Sequence, residues 1–439
     1  MAITRSSRAC TNNAKIVLVL FLALAAICEA NVVDDDDDEF DVSEAMERAK
    51  ADKADPSEKI FNVMKYGAIT GGHEDPTGEI TDSNHAAFVQ AFLAACHHTG
   101  KARVVIPTGT YVLGPVTFQG PCNNSEPLVV QIQGTLKAAT DLSLFPGEGQ
   151  EWFNFEDING LIITGTGVFD GQGATAWKYR DPKTDNDAPG QRMPASIQFV
   201  NVTNAVMRGI TSINSKGFHI FITQSQNIRL YHLRITAPEN SPNTDGIHIS
   251  QSNLIKVAKS VIATGDDCVG IIRGANNVSI KKVTCGPGHG ISIGSLGKFE
   301  NETDVRGIIV RNCTLIGTKN GVRIKTTEGK NPAHASGLIF QDIMMQDVKH
   351  PIVINQLYET KKDSIVKISD VHFTNIWGTS ISKVAVDLQC SKRTPCENVQ
   401  FKDINLQYSG VESQVPFSSS CVNAKVGYTG SQFPPPCNK

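Results

Sequence analysis

The chain has 439 residues, 40% of them hydrophobic and 19% charged, with a formal charge of −3 at neutral pH. That length admits several small domains or one elongated one, and the composition is that of an ordinary soluble globular protein. The near balance of charge gives no reason to expect a nucleic-acid partner.

Arg5, Arg8 and Lys15 precede an apolar run from Ile16 to Ile27, and Cys28-Glu29-Ala30 ends in a small residue. About a dozen apolar residues are too few to span a bilayer, so residues 1–30 read as a secretory signal. No later stretch is apolar enough to span one, and an exported, extracellular product with no membrane partner is expected. Residues 31–57 open on the acidic run Asp34 to Asp38 with Glu39. Like charges at this density repel and have little to bury, which reads as a solvated leader or propeptide, with calcium binding the alternative. Without residues 1–57, 35 Lys and Arg stand against 32 Asp and Glu, a formal +3 that suits an anionic partner.

From residue 58 to 439 the chain reads as one domain. It opens at Ile60-Phe61-Asn62-Val63, after which Asp82 or Ser83 offers an N-cap for a helix over Ala86 to Cys96. Phe88, Phe92 and Leu93 give that helix its apolar stripe. Nearly everything after it consists of short β runs, such as Val104-Val105-Ile106, Leu128-Val129-Val130-Gln131-Ile132 and Leu161-Ile162-Ile163.

From about residue 150 a loose repeat sets in, with Asn before an apolar strand. Asn204 to Asn227 is 23 residues, Asn227 to Asn253 is 26 and Asn253 to Asn277 is 24. A period near 24 residues without helices is too short for a propeller blade and fits one coil of a parallel β-helix, three short strands joined by turns. Asn suits such turns because it tolerates the left-handed region. The fold class is therefore all-β, a parallel β-helix whose open first coil the N-terminal helix caps.

Residues 1–30 take Cys10 and Cys28 with them, leaving nine cysteines in an oxidising compartment. Cys390 with Cys396 is a tight local bridge, Cys421 with Cys437 ties down the tail, and Cys268 with Cys285 brackets about one repeat. The pairing of Cys96 with Cys122 stays open, and Cys313, in an apolar strand pattern, is the candidate free thiol. No CxxC pair exists, so no zinc site is expected. Sequons begin at Asn123, Asn201, Asn277, Asn301 and Asn312, the last inside an expected strand that would hide it.

The chemistry concentrates between Ser241 and Lys325. Asn243-Thr244-Asp245, Gly265-Asp266-Asp267, Gly288-His289-Gly290 and Arg323-Ile324-Lys325 follow in order. Asp245 lies 21 residues before Asp266, Asp266 lies 23 before His289, and Arg323 is 34 further on. Each triplet alone is weak: Asp in NTD or GDD is usually a turn residue, a lone His is usually structural, and Arg and Lys usually form a solvated face. Recurrence at coil spacing stacks all of them on one surface. Three crowded carboxylates raise the pKa of at least one by repulsion, as a general acid requires. In the strand pattern Gly321-Val322-Arg323-Ile324-Lys325, the cations alternate with inward apolar residues and face outward.

These four motifs resemble the signature of the polygalacturonases, pectin-hydrolysing glycoside hydrolases, and most of all the plant pollen-type exopolygalacturonases. The resemblance extends from Phe61-Asn62-Val63 through Cys285-Gly286-Pro287 and Asn320-Gly321 to the C-terminal cysteines. It implies a right-handed parallel β-helix, a polygalacturonate (pectin) substrate cleaved with inversion, and a secreted cell-wall enzyme. It further implies that Asp266 is the general acid, that Asp245 and Asp267 hold and deprotonate the water, and that His289 sits beside the acid. Asn243, Arg323, Lys325 and Tyr358 would bind substrate. No metal or cofactor is implied, and a monomer is expected. The chain departs from the family's usual Ser-Ile-Gly at Gly270-Ile271-Ile272-Arg273-Gly274, and from its usual Cys after the tyrosine at Glu359. Attack from the non-reducing chain end is the expected mode, with an endo-acting enzyme, a calcium-dependent pectate lyase and a catalytically silent pectin-binding protein as alternatives.

Overall fold

Alternating apolar residues line up across strands as well as along them. In the computed structural model, which describes residues 55–71, 79–145, 151–179, 192–329, 332–411 and 416–437, strands pair in parallel with their counterparts one coil away. The signal segment and all but the last residues of the acidic leader lie outside the described residues. A representative coil consists of Gln226–Tyr231, Arg234–Thr236 and Ile247–Ser250. Each of the three pairs with its equivalents before and after. This is a parallel β-helix, as expected. Among the described residues no helix is long and apolar enough to cross a membrane.

The stacking builds continuous interior columns. Val104, Val130, Ile163, Met207, Leu230, Val257, Ile280 and Val310 follow one another in register. The column continues through Phe340, Phe373, Phe401 and Tyr428, whose rings stack at 5.2, 4.9 and 5.6 Å between centroids. Burial of such columns supplies most of the driving force, at roughly 25 cal/mol per Å² of apolar surface.

The helix is longer than expected and runs over Glu79–Cys96, so Asp82 and Ser83 lie inside it rather than capping it. Its Phe92 stacks on Phe118 at 4.2 Å, and Phe88 meets Tyr111 and Phe153 edge-on, so it does close the first coil. Three short strands per coil hold only up to Leu296. Beyond it two faces merge into the long bent strands Val305–Ile316, His334–Val348, Lys367–Ser380 and Cys396–Tyr408.

The Asn ladder is real, with one rung displaced. Asn204, Asn227 and Asn277 occupy the same register position at φ of 57°, 55° and 52°, but Leu254, not Asn253, fills the rung between them at φ 58°. The true steps are therefore 23, 27 and 23 residues. Side-chain hydrogen bonds run along the ladder, from Asn204 Nδ2 to Asn159 Oδ1 and from Asn227 Nδ2 to Asn204 Oδ1. At the displaced rung Asn253 substitutes, its Oδ1 accepting from Asn277 Nδ2 at 2.8 Å. A second left-handed column at the next corner passes through His232, Lys259, Lys282, Asn312, Asp342, Asn375 and Asp403. Asn312 sits at that bend and is exposed, contrary to the expectation that its strand would hide it.

The three expected disulfides Cys268–Cys285, Cys390–Cys396 and Cys421–Cys437 are present, the open pair Cys96–Cys122 is bridged as well, and Cys313 is free and buried. Burial pushes the Cys313 thiol up to about 12.

Candidate active site

The site lies on the eleven-stranded face, at the entry to four consecutive strands. Ile247, Val269, Ile291 and Val322 stack in register with their side chains in the core. Two residues before each stand Asp245, Asp267, His289 and Asn320, one above another at about 4.8 Å per coil. The aligned aspartate is thus Asp267 rather than Asp266, and the two steps are 22 residues each. Asp266 occupies the turn just ahead of this column. Gly265 serves it by close approach rather than by an unusual bend, since a Cβ there would lie 2.0 Å from the Ser241 carbonyl oxygen.

Asp266 and Asp267 are adjacent but sit in opposite environments. The Asp266 side chain is 22% exposed, and its Oδ1 is hydrogen-bonded to His289 Nδ1 at 2.7 Å. The same oxygen accepts from the Asp267 amide at 2.9 Å, and Asn320 Nδ2 donates to the His289 carbonyl at 3.2 Å. Asp267 is buried, its Oδ1 accepting from Ser292 Oγ at 2.7 Å and Arg323 Nη2 at 2.9 Å, and its Oδ2 from Lys325 Nζ at 3.3 Å. Burial works against its charge, but Lys325 and Arg323, helped by His289 and Ser292, hold its pKa at about 2. Crowding was expected to raise a carboxylate pKa. At Asp267 the two cations reverse the sign.

Arg323 and Lys325 are buried, not solvated. They do project from the outer face of their strand, but Arg323 Nε also donates to Ser292 Oγ at 3.0 Å and the Tyr358 ring covers both cations, 5.9 and 5.2 Å away. Burial and Arg323 oppose the charge of Lys325, yet Asp267, Tyr358 and Asp266 keep its pKa raised. Asn243 is buried in the turn ahead of Asp245, at φ 49°. Asp245 Oδ2 lies 3.0 Å from His248 Nδ1, and the His248 ring stacks on Phe218 at 4.1 Å.

Sequence reasoning missed His248, Ser292 and Asn320. His248 and Ser292 alternate with core residues in their strands, a pattern that reads as solvent-facing, and Asn320 opens its strand two residues before Val322, where nothing in the pattern marks it. The departures of the chain now have physical reasons. A Cβ at Gly270 would come within 3.0 Å of Asp245 Oδ2 and 3.1 Å of His248 Nδ1, so glycine leaves room for that pair. Arg273 lies over the Phe299 ring at 3.9 Å, while Lys298 pairs with Glu359 at 3.8 Å. Both departures therefore fasten the loop around Lys298 and Phe299, which follows strand Ile291–Leu296 at the edge of the site. The insertion from Trp177 to Met193, which lies between β strands, falls mostly outside the described residues.

Asp266, Asp267 and His289 bring ligating atoms within 4.8 Å of one another. With one aspartate claimed by two cations and the imidazole by the other aspartate, the cluster is arranged for proton transfer rather than for holding an ion.

A profile of the family described as glycosyl hydrolases family 28 matches residues 96–430. An exopolygalacturonase of Arabidopsis thaliana is 41% identical over 393 residues, covering 87% of this chain and 88% of that one. One of Platanus acerifolia is 42% identical over 384 residues, covering 86% and 97%. Among solved structures, a hyperthermoactive exopolygalacturonase from Thermotoga maritima superposes with a TM-score of 0.70 at 18% identity, covering 88% of this chain and 95% of that one.

Proposed function

The chain belongs to glycosyl hydrolases family 28, and from that premise we propose that it is a secreted exopolygalacturonase, hydrolysing α-1,4-galacturonosidic bonds of pectate with inversion. The plant relatives carry names of this activity. The observation that carries the chemistry is the contrast between two neighbouring carboxylates: Asp266, accessible and bonded to an imidazole, and Asp267, buried between two cations. Two carboxylates made unlike by their surroundings divide acid and anion roles between them.

In this reading Asp266 gives its proton to the leaving glycosidic oxygen as the bond to the anomeric carbon breaks. Water adds to that carbon from the opposite face and passes its proton to Asp245, which His248 orients. The two cations on Asp267 lower its basicity. Asp267 orients the water as a fixed anion and holds Arg323 and Lys325, with Tyr358, where galacturonate carboxylates arrive. His289 keeps Asp266 in place, and Asn243 lines the approach.

Chain-end attack needs one end of the cleft closed. The loop fastened by Arg273–Phe299 and Lys298–Glu359 supports such a wall. Export is supported by the N-terminal segment and by four disulfides. Incubation with polygalacturonate, with products resolved by size and by proton NMR, tests the reading. Monogalacturonate should accumulate from the start while viscosity falls slowly, and the first product should be the β anomer. A rapid collapse of viscosity with mid-sized oligomers would make the enzyme endo-acting. An α anomer would exclude inversion, and absence of hydrolysis would make the protein a silent binder.

A further inference from the structure

The edge of the site away from the fastened loop holds a hollow of about 260 Å³ that the chemistry above does not use. His289 and Gly288 form one side of it, and Gly265 and Glu239 another. Lys319 and Lys349 complete it, with Thr318, Gly317 and Ile381. The two lysines are not neighbours by chance. Asn320 pairs with His350 in the parallel ladder, so Lys319 and Lys349, each one residue ahead of its strand, stand on consecutive coils about 4.8 Å apart. Both are exposed, and neither makes an ion pair or side-chain hydrogen bond among the described residues. Other exposed lysines do find acids, as Lys367 and Lys425 share Glu397 and Lys362 meets Glu328.

Like charges stacked directly on adjacent strands repel, and the repulsion goes uncompensated unless an anion sits between them. Neighbouring groups register the resulting field. Burial lowers the pKa of His350, and Lys349 and Lys319 lower it further against the opposing effect of Asp387. The hollow abuts the imidazole that holds Asp266, so its occupant lies next to the bond being broken.

We propose that Lys319 and Lys349 form a second carboxylate-reading subsite, binding the uronate group of a sugar unit that flanks the scissile bond on the His289 side. This rests on the proposed function, and it adds a cationic contact distinct from the buried Arg323 and Lys325. Those two are already committed to Asp267, whereas Lys319 and Lys349 have no partner to give up among the described residues, so a carboxylate entering here gains two charge-assisted contacts, offset in part by the Glu239 carboxylate that lines the same hollow. A methyl ester at that unit removes the charge and with it the gain. The subsite therefore makes the enzyme discriminate against esterified pectin.

The test measures trigalacturonate binding by calorimetry at low salt in an Asp266→Asn background, with and without Lys319→Ala and Lys349→Ala together. Affinity should fall about tenfold in the double substitution, with a shallower dependence on salt. Lys319→Arg with Lys349→Arg should restore it, and methyl-esterified trigalacturonate should bind both forms equally weakly. Trigalacturonate affinity unchanged within twofold would overturn the subsite while leaving the hydrolase reading intact. Lysine-dependent binding by a wild-type protein that does not cleave polygalacturonate would uphold the subsite and overturn the hydrolase reading. Absence of binding in the Asp266→Asn protein would overturn the subsite and the substrate assignment together.

Discussion

Lys325 reaches back across two coils to place its ammonium 3.3 Å from the carboxylate of Asp267, 58 residues earlier in the chain. The pair is buried at both ends, with Arg323 as a second cation on the same carboxylate. Removing Lys325 therefore touches stability as well as substrate. Lys325→Met should lower unfolding free energy by about 2 kcal/mol, less than the roughly 3–5 of an unshared buried pair because Arg323 and Ser292 remain. Urea denaturation at pH 7 measures it. An unchanged midpoint, as a solvated lysine would give, rejects the structural role.

The same carboxylate predicts a pH dependence. Its pKa falls from an ordinary 3.8 to about 2 in the folded protein, so its stabilisation is full above about pH 4 and is lost as pH falls through 2. About 2 kcal/mol is at stake. Denaturation followed from pH 5 to pH 2 should show wild type losing that much more than Asp267→Asn. Parallel curves would mean that the cations do not stabilise the anion.

Asp266→Asn should fold normally and lose at least about a hundredfold in kcat, the usual scale for a general acid. His289→Ala should lose less, since it holds the acid without donating the proton. Turnover within a few-fold of wild type in folded Asp266→Asn would remove Asp266 from the acid role.

Leu254 occupies a left-handed rung that its neighbours fill with asparagine, and a branched side chain there is strained by about 1–2 kcal/mol. Leu254→Asn should raise stability by about 1 kcal/mol and leave activity unchanged, since the residue is exposed at a corner of the coil away from the site. A lower melting temperature would show that the leucine packs against something worth more than the strain.

Cys313 should resist alkylation at pH 8 in the native state and react fully once unfolded, because burial holds its thiol near pKa 12 and away from reagent. Fast native-state labelling, followed by mass spectrometry, would show that the coil around it opens readily.

The coil period, three of the disulfide pairs and the residues that meet at the site were legible because stacking turns sequence interval into spatial proximity. What was not legible turned on single residues. A shift of one position decides whether Asp266 or Asp267 joins the column with Asp245, and turn lengths of variable size hide it. Leu254 displaced the Asn ladder in the same way. Alternation told that Arg323 and Lys325 leave the core but not that an anion two coils back would bury them. Nothing in the sequence marks Lys319 and Lys349, and only their pairing register places one above the other.

The register columns also settle how damage travels through the molecule. Each rung touches only the rung before and the rung after, so cohesion is nearest-neighbour and the ends fray first. The strands bearing the chemistry, from Ile247–Ser250 to Asn320–Thr326, are the fifth to eighth of eleven on their face. Four rungs shield them on the side where the helix closes the stack, and three on the side tied by Cys421–Cys437. Loosening at either tip has to consume several intact rungs before it reaches an aspartate, which leaves the coils of the candidate site the last part of the solenoid to lose their geometry.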